Sequence, residues 1–185
     1  MIRSAANIPL QLIKDKQVYI NTLNYHVNYS GPLVAAIDRG AIKLDITLDE
    51  KLIYPSKRMP LLKEYAEYDD LPSGRELNVY DINEIVLEKL CCILDPKRKQ
   101  PRDVYDLWYL LNSRLVDGRM LIEDYKSKAT HKKLNWEDLK KSVQQKESAY
   151  RSLWGTTLSH QMKDVPEFNE TYRNLKQYLR NSKYL

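Results

Sequence analysis

Between residues 41 and 49 the chain alternates: Ile42, Leu44, Ile46 and Leu48 fall on one face and Lys43, Asp45, Thr47 and Asp49 on the other. That period of two predicts a half-buried β-strand, apolar face inward and polar face free to work. Residues 17–29, rich in Val, Tyr, Thr and Asn, read the same way, and Gly31-Pro32 breaks the chain between the two segments. Pro55 and Pro60 bracket an expected loop. Residues 75–80 predict one more short strand after the turn Leu71-Pro72-Ser73-Gly74.

From Asp81 the period becomes helical. Asp81 with Glu84 three residues on resembles a capping box, and Asp95-Pro96 ends that helix. Pro101 suits the first turn of the next helix, expected to run to about Asn112 or Arg114. Further helices are predicted over residues 120–129, 135–153 and 166–179. The pattern therefore predicts an α+β chain: a small N-terminal sheet region over residues 1–80 and a C-terminal helical bundle over 81–185, packed as one compact unit.

Ionisable groups interrupt two of the helical stripes. Ile85, Lys89 and Ile93 share one column of the first helix, with Ile82, Val86 and Leu90 beside it. In the second helix Asp103 and Leu107 lie four apart, as do Asp106 and Leu110, so both carboxylates border the buried stripe. A lysine on an apolar stripe needs a partner or a ligand, because desolvating a lone charge is costly. A carboxylate from the next helix meets that need. Two readings stand at this point: a Lys–Asp bridge that only packs two helices, and a site at which such groups cluster.

Composition narrows the class. The 185 residues are 43% hydrophobic and 30% charged, an ordinary globular balance with room for a real core. No apolar run approaches the roughly 20 residues that span a bilayer, and the start, Met1 to Asn7, leads into no apolar signal core; no membrane partner and a cytoplasmic location are expected. Cys91 and Cys92, adjacent in the first helix, read as small core fillers, and His26, His131 and His160 are too scattered for a zinc site. The net charge of +5 is unevenly spread. Lys126, Lys128, Lys132, Lys133, Lys140, Lys141, Lys146 and Arg151 crowd one stretch, readable as an RNA-attracting face or as the solvated side of surface helices. The 14 tyrosines against one phenylalanine are spread along the chain and read as composition.

Lys43-Leu44-Asp45-Ile46-Thr47 in a strand, Glu84 through Glu88-Lys89-Leu90 in a helix, and Arg102-Asp103-Val104-Tyr105-Asp106-Leu107 opening the next resemble the later motifs of the AbiEii/AbiGii toxin family. The resemblance covers nearly the whole chain, including the closing Val165-Pro166-Glu167-Phe168 and its helix, and its most specific part is the Arg-Asp-x-Tyr-Asp-Leu element. It implies a partial nucleotidyltransferase fold and a toxin of a toxin–antitoxin or phage-defence system that uses magnesium and a nucleoside triphosphate, with tRNA as an acceptor. By that resemblance Asp45 is the strand carboxylate facing the metal, and Lys89 the helix lysine on nucleotide phosphate with Arg102 near it. Asp103 is the acid that acts with Lys89, and Asp106 supports them from behind.

One element of the family pattern is not found. Family members open with a Gly-rich turn and an Asp-x-Asp pair that holds two metals, whereas none of the five glycines here precedes such a pair. A lone Asp45 cannot anchor two magnesium ions. The expectation is a truncated member, catalytically incomplete alone, served by an antitoxin, a complementing N-terminal chain or a homodimer. The alternative is a non-catalytic module that binds RNA, nucleotide or antitoxin.

Overall fold

The computed structural model describes residues 10–12, 17–19, 22–29, 40–62 and 74–185. They divide into two compact units, Met1–Glu50 and Lys51–Leu185. The Gly31-Pro32 break, residues 71–73 of the expected turn and the segment Met1 to Asn7 lie outside the described residues.

In the first unit, β1 (Leu10–Leu12), β2 (Gln17–Tyr19), β3 (Thr22–Tyr29) and β4 (Gly40–Thr47) form one antiparallel sheet centred on β3. β1 pairs with Val27–Tyr29, β2 with Thr22–Asn24, and β4 with the whole of β3, from Thr22 opposite Thr47 to Tyr29 opposite Gly40. The expected 17–29 strand is thus two strands. The alternation of β4 is real, but its apolar side is not half-buried as expected: Ile42, Leu44, Ile46 and Leu48 are 46–57% exposed. Alternation fixes which side chains share a face; whether that face is covered depends on a second layer.

The second unit opens with a β-hairpin of β5 (Lys57–Pro60) and β6 (Glu76–Val79), Lys57 opposite Val79 and Pro60 opposite Glu76. Part of the stretch expected as a loop between Pro55 and Pro60 is therefore a strand. Pro60 is tolerated at its end, where a missing N–H costs least. The segment after Glu50 is tied to the helices. The backbone N–H groups of Ile53 and Tyr54 donate to Glu84 at 3.0 and 2.9 Å, and Lys57 meets Asp81 at 2.5 Å.

Five helices follow: α1 (Ile82–Leu94), α2 (Pro101–Asn112), α3 (Ile122–His131), α4 (Leu139–Leu158) and α5 (Phe168–Asn181). Asp81 caps α1 by accepting from the N–H of Asn83 at 2.8 Å. The return half of the expected capping box is absent because Glu84 is spent on Ile53, Tyr54 and Lys128. Pro101 occupies the first turn of α2 as expected. The bundle core takes Leu87 and Leu90 from α1, Val104 and Leu107 from α2, Leu139 and Leu158 from α4, and Leu175 and Leu179 from α5, all at most 1% exposed. Each such side chain is worth about 1.5–3 kcal/mol relative to exposure.

The tyrosine excess has a structural use. Tyr125, Tyr150 and Tyr172 are buried, and Tyr172 donates to the Val143 carbonyl at 2.6 Å. Tyr184 donates to the carbonyl of Gly118 at 2.6 Å, while Tyr178 accepts from the N–H of the same residue at 3.1 Å. A Cβ on Gly118 would stand 2.9 Å from Leu111, so glycine lets this turn lie against α2. Cys91 fills the core, its thiol pushed up to about 12 by burial, and both cysteines are free.

Candidate functional site

The turn between α1 and α2, Asp95 to Gln100, brings the carboxyl-terminal half of one helix against the first turn of the other. Lys89 reaches across from α1 to Asp103 at 3.0 Å and to Asp106 at 2.5 Å. Asp103 and Asp106 are three apart on α2 and so share its face toward α1. Asp103 also sits in the first turn, where its charge suits the helix dipole.

Asp103 has a second cation that the sequence reading did not name. Arg98, in the turn, donates through Nε to Oδ2 at 2.6 Å and through Nη2 to Oδ1 at 3.2 Å. This two-point grip is the favoured geometry of a guanidinium on a carboxylate. Arg102, expected near the site, is exposed at the second position of α2. A usable signal is the apolar stripe of Val104, Leu107 and Leu111, which at helical spacing lies opposite residue 102 and turns it outward, leaving the preceding turn to supply the cation.

Burial sets the electrostatics. Asp103 is 1% exposed, and its carboxyl stays below the usual range because Arg98 and Lys89 together outweigh the desolvation that pushes it up. Lys89 is likewise desolvated, yet Asp106 and Asp103 raise it above an ordinary lysine. The side chains of Lys89 and Asp106 remain 20% and 38% exposed. The cluster therefore presents a charged lysine, one exposed carboxylate and the partly exposed Arg98 guanidinium to solvent, around the buried Asp103 carboxylate.

Asp45 belongs to the first unit, where it stands opposite Asn24 with its carboxylate 3.3 Å from Lys43 and about half exposed. Among the described residues no three His, Cys, Asp or Glu side chains converge as metal ligands. The donors that the described residues of this cluster offer, Asp103 and Asp106, are both engaged by Lys89 and do not by themselves fit a magnesium pair.

Much of the basic stretch from Lys126 to Arg151 is engaged within the fold. Lys128, fully buried, binds Glu84 and Glu88 and donates to the Lys51 carbonyl at 3.0 Å; Lys132 meets Glu88 at 2.9 Å. Lys146, also buried, donates to the carbonyls of Ile93 and Asp95 at the end of α1, and burial pulls its ammonium below the ordinary lysine range. Lys126 pairs with Glu123 and lies over Trp136, and Arg151 pairs with Glu147. Of the expected basic face, only Lys133, Lys140 and Lys141 are left as exposed lysines without such a structural use.

No helix among the described residues is long and apolar enough to cross a membrane. No curated protein matches the chain. Among solved structures, that of an H. pylori protein assigned to the nucleotidyltransferases superposes with a TM-score of 0.52 at 18% identity, covering 95% of this chain and 66% of that one. A second H. pylori structure, JHP933, gives 0.49 at 20% identity, covering 95% and 64%. The chain thus spans less than two thirds of either H. pylori chain, and the first likeness places its α+β architecture among nucleotidyltransferase-like folds. A family model described as nucleotidyl transferase AbiEii toxin, type IV toxin–antitoxin system, matches residues 5–181, which include β4, the Lys89 helix and the Asp103 helix. The chain belongs to the AbiEii nucleotidyl transferase toxin family of type IV toxin–antitoxin systems.

Proposed function

We propose that this chain binds the triphosphate of a nucleotide at Lys89 and, acting alone, does not transfer it. The observation that carries the reading is a charged, partly exposed lysine held on a buried carboxylate at the junction of two helices, in a member of a nucleotidyl transferase family. Phosphoryl transfer depends on positioning and charge neutralisation, and a fixed ammonium supplies both for a phosphate oxygen. Arg98 and Asp103 act as positioning residues: they hold the lysine charged and aimed. The absence of a converging donor set among the described residues supports the second half of the reading, since magnesium would need ligands from elsewhere. An antitoxin is the partner that the family suggests, and a tRNA acceptor is a further proposal. The alternative of a general RNA surface is weakened because most of the candidate basic residues are buried or paired.

The test is titration of the purified chain with each nucleoside triphosphate beside Lys89→Ala, followed by incubation with labelled triphosphate, magnesium and total tRNA. Saturable binding that Lys89→Ala weakens about tenfold, the worth of one hydrogen bond to a charged group, is expected, without label on RNA or protein. Binding indifferent to Lys89→Ala refutes the site. Label transfer by wild type refutes the incompleteness.

A further inference from the structure

The two carboxylates on Lys89 are held very differently. Asp103 is 1% exposed, and its oxygens accept three bonds, from Lys89 Nζ, Arg98 Nε and Arg98 Nη2. Removing it from Lys89 would leave a buried charge with half its compensation, which is expensive. Asp106 is 38% exposed, contacts Lys89 through Oδ2 at 2.5 Å, and has water to fall back on. An ion pair of that kind is worth little and yields readily to a stronger anion. With Lys89, Arg98, Asp103 and Asp106 all charged, the cluster as it stands has no net charge to offer a polyanion.

We infer that Asp106 is a replaceable counter-ion on Lys89, a latch that an incoming triphosphate oxygen displaces while Asp103 stays in place. The inference rests on the proposed function and goes beyond it by giving Asp106 a role opposite to support: it competes with the ligand. In the ligand-free protein Asp106 keeps the ammonium compensated, and on binding it swings into solvent, so a single weakly charged anion does not open the site but a triphosphate does. Neutralising Asp106 must then strengthen phosphate binding, whereas a carboxylate that helps to hold the ligand would weaken it when neutralised.

The experiment is calorimetric titration of the full chain with inorganic tripolyphosphate in magnesium-free buffer containing chelator, for wild type, Asp106→Asn, Lys89→Ala and the double variant. ATP and a short ribo-oligonucleotide run in parallel, and thermal unfolding establishes that each variant is folded; Asp106→Ser replaces Asp106→Asn if the latter is not. Tripolyphosphate and ATP are expected to bind Asp106→Asn about threefold tighter than wild type, the size of an exposed ion pair, and the gain is expected to vanish in the double variant. A gain that persists without Lys89 is a general charge effect and overturns the latch. Lys89-dependent binding by wild type with no gain in Asp106→Asn overturns the latch and leaves the proposed function standing. Absence of Lys89-dependent binding in every form overturns both. Binding confined to the oligonucleotide overturns the assignment to a triphosphate.

Discussion

At the scale of single residues, the behaviour of Asp103 follows from its burial and its two cations. Neutralising a buried carboxylate that accepts three hydrogen bonds from two cations weakens all of them, so Asp103→Asn is expected to cost about 3 kcal/mol of stability, measured by urea unfolding near neutral pH. The pH dependence has a definite sign. The folded carboxyl lies below its ordinary value, so its contribution is fully present above about pH 4 and is lost as pH falls through the folded value. The gap between wild type and Asp103→Asn should therefore close in acid below about pH 4. A gap that stays constant there would mean that the lost stability comes from packing and not from charge. The same reasoning separates Asp103 from Asp106, whose exposure leaves it with little structural worth.

At the scale of elements, one buried carboxylate ties three segments together. Glu84 on α1 accepts from the N–H groups of Ile53 and Tyr54 and binds Lys128 on α3, a partner 44 residues away. Glu88, one turn on, shares Lys128 and takes Lys132 but is 23% exposed. Glu84→Gln is expected to destabilise the chain by about 3 kcal/mol, because it leaves a fully buried ammonium with Glu88 as its one remaining carboxylate and the Ile53 and Tyr54 N–H groups on a neutral acceptor, whereas Glu88→Gln should cost less, about 1–2 kcal/mol, because Glu84 still compensates Lys128 and the freed Lys132 is partly exposed. Parallel urea titrations decide it, and equal losses would count against burial as the cause. Lys146 plays a related part from α4, satisfying carbonyls at the end of α1 just before the turn that carries Arg98. That turn is thus held at one end by a buried lysine and at the other by the Arg98 grip on Asp103.

At the scale of the molecule, every buried apolar residue among those described lies in the second unit, from Val86 to Leu179. A unit with its own core is expected to fold alone. A chain of residues 51–185 should keep the helical circular-dichroism signal and unfold within about 4 °C of the full chain's helical transition, a shift equivalent to no more than about 1 kcal/mol. Loss of cooperative unfolding would show that the first unit completes the core. The Lys89, Arg98, Asp103 and Asp106 cluster lies wholly within 51–185, so its ion pairs should survive in that fragment.

Much of this was legible in the chain itself because it is local. The alternation from Ile42 to Leu48, the helical period after Asp81, the cap at Asp81 and the proline start of α2 each depend on neighbours within a turn or a strand, and all appear where they were read. Lys89 facing Asp103 was legible too, since a charge on an apolar stripe must be met by the next element. What tertiary structure alone decided are the matters that depend on distant partners. It set Arg98 on Asp103, diverted Glu84 from its cap to Lys128, buried Lys146 on the end of α1, and drew β5 and β6 into the helical unit. Periodicity tells a side chain which face it is on; only packing tells it what it meets there, and desolvation then sets how much that meeting is worth.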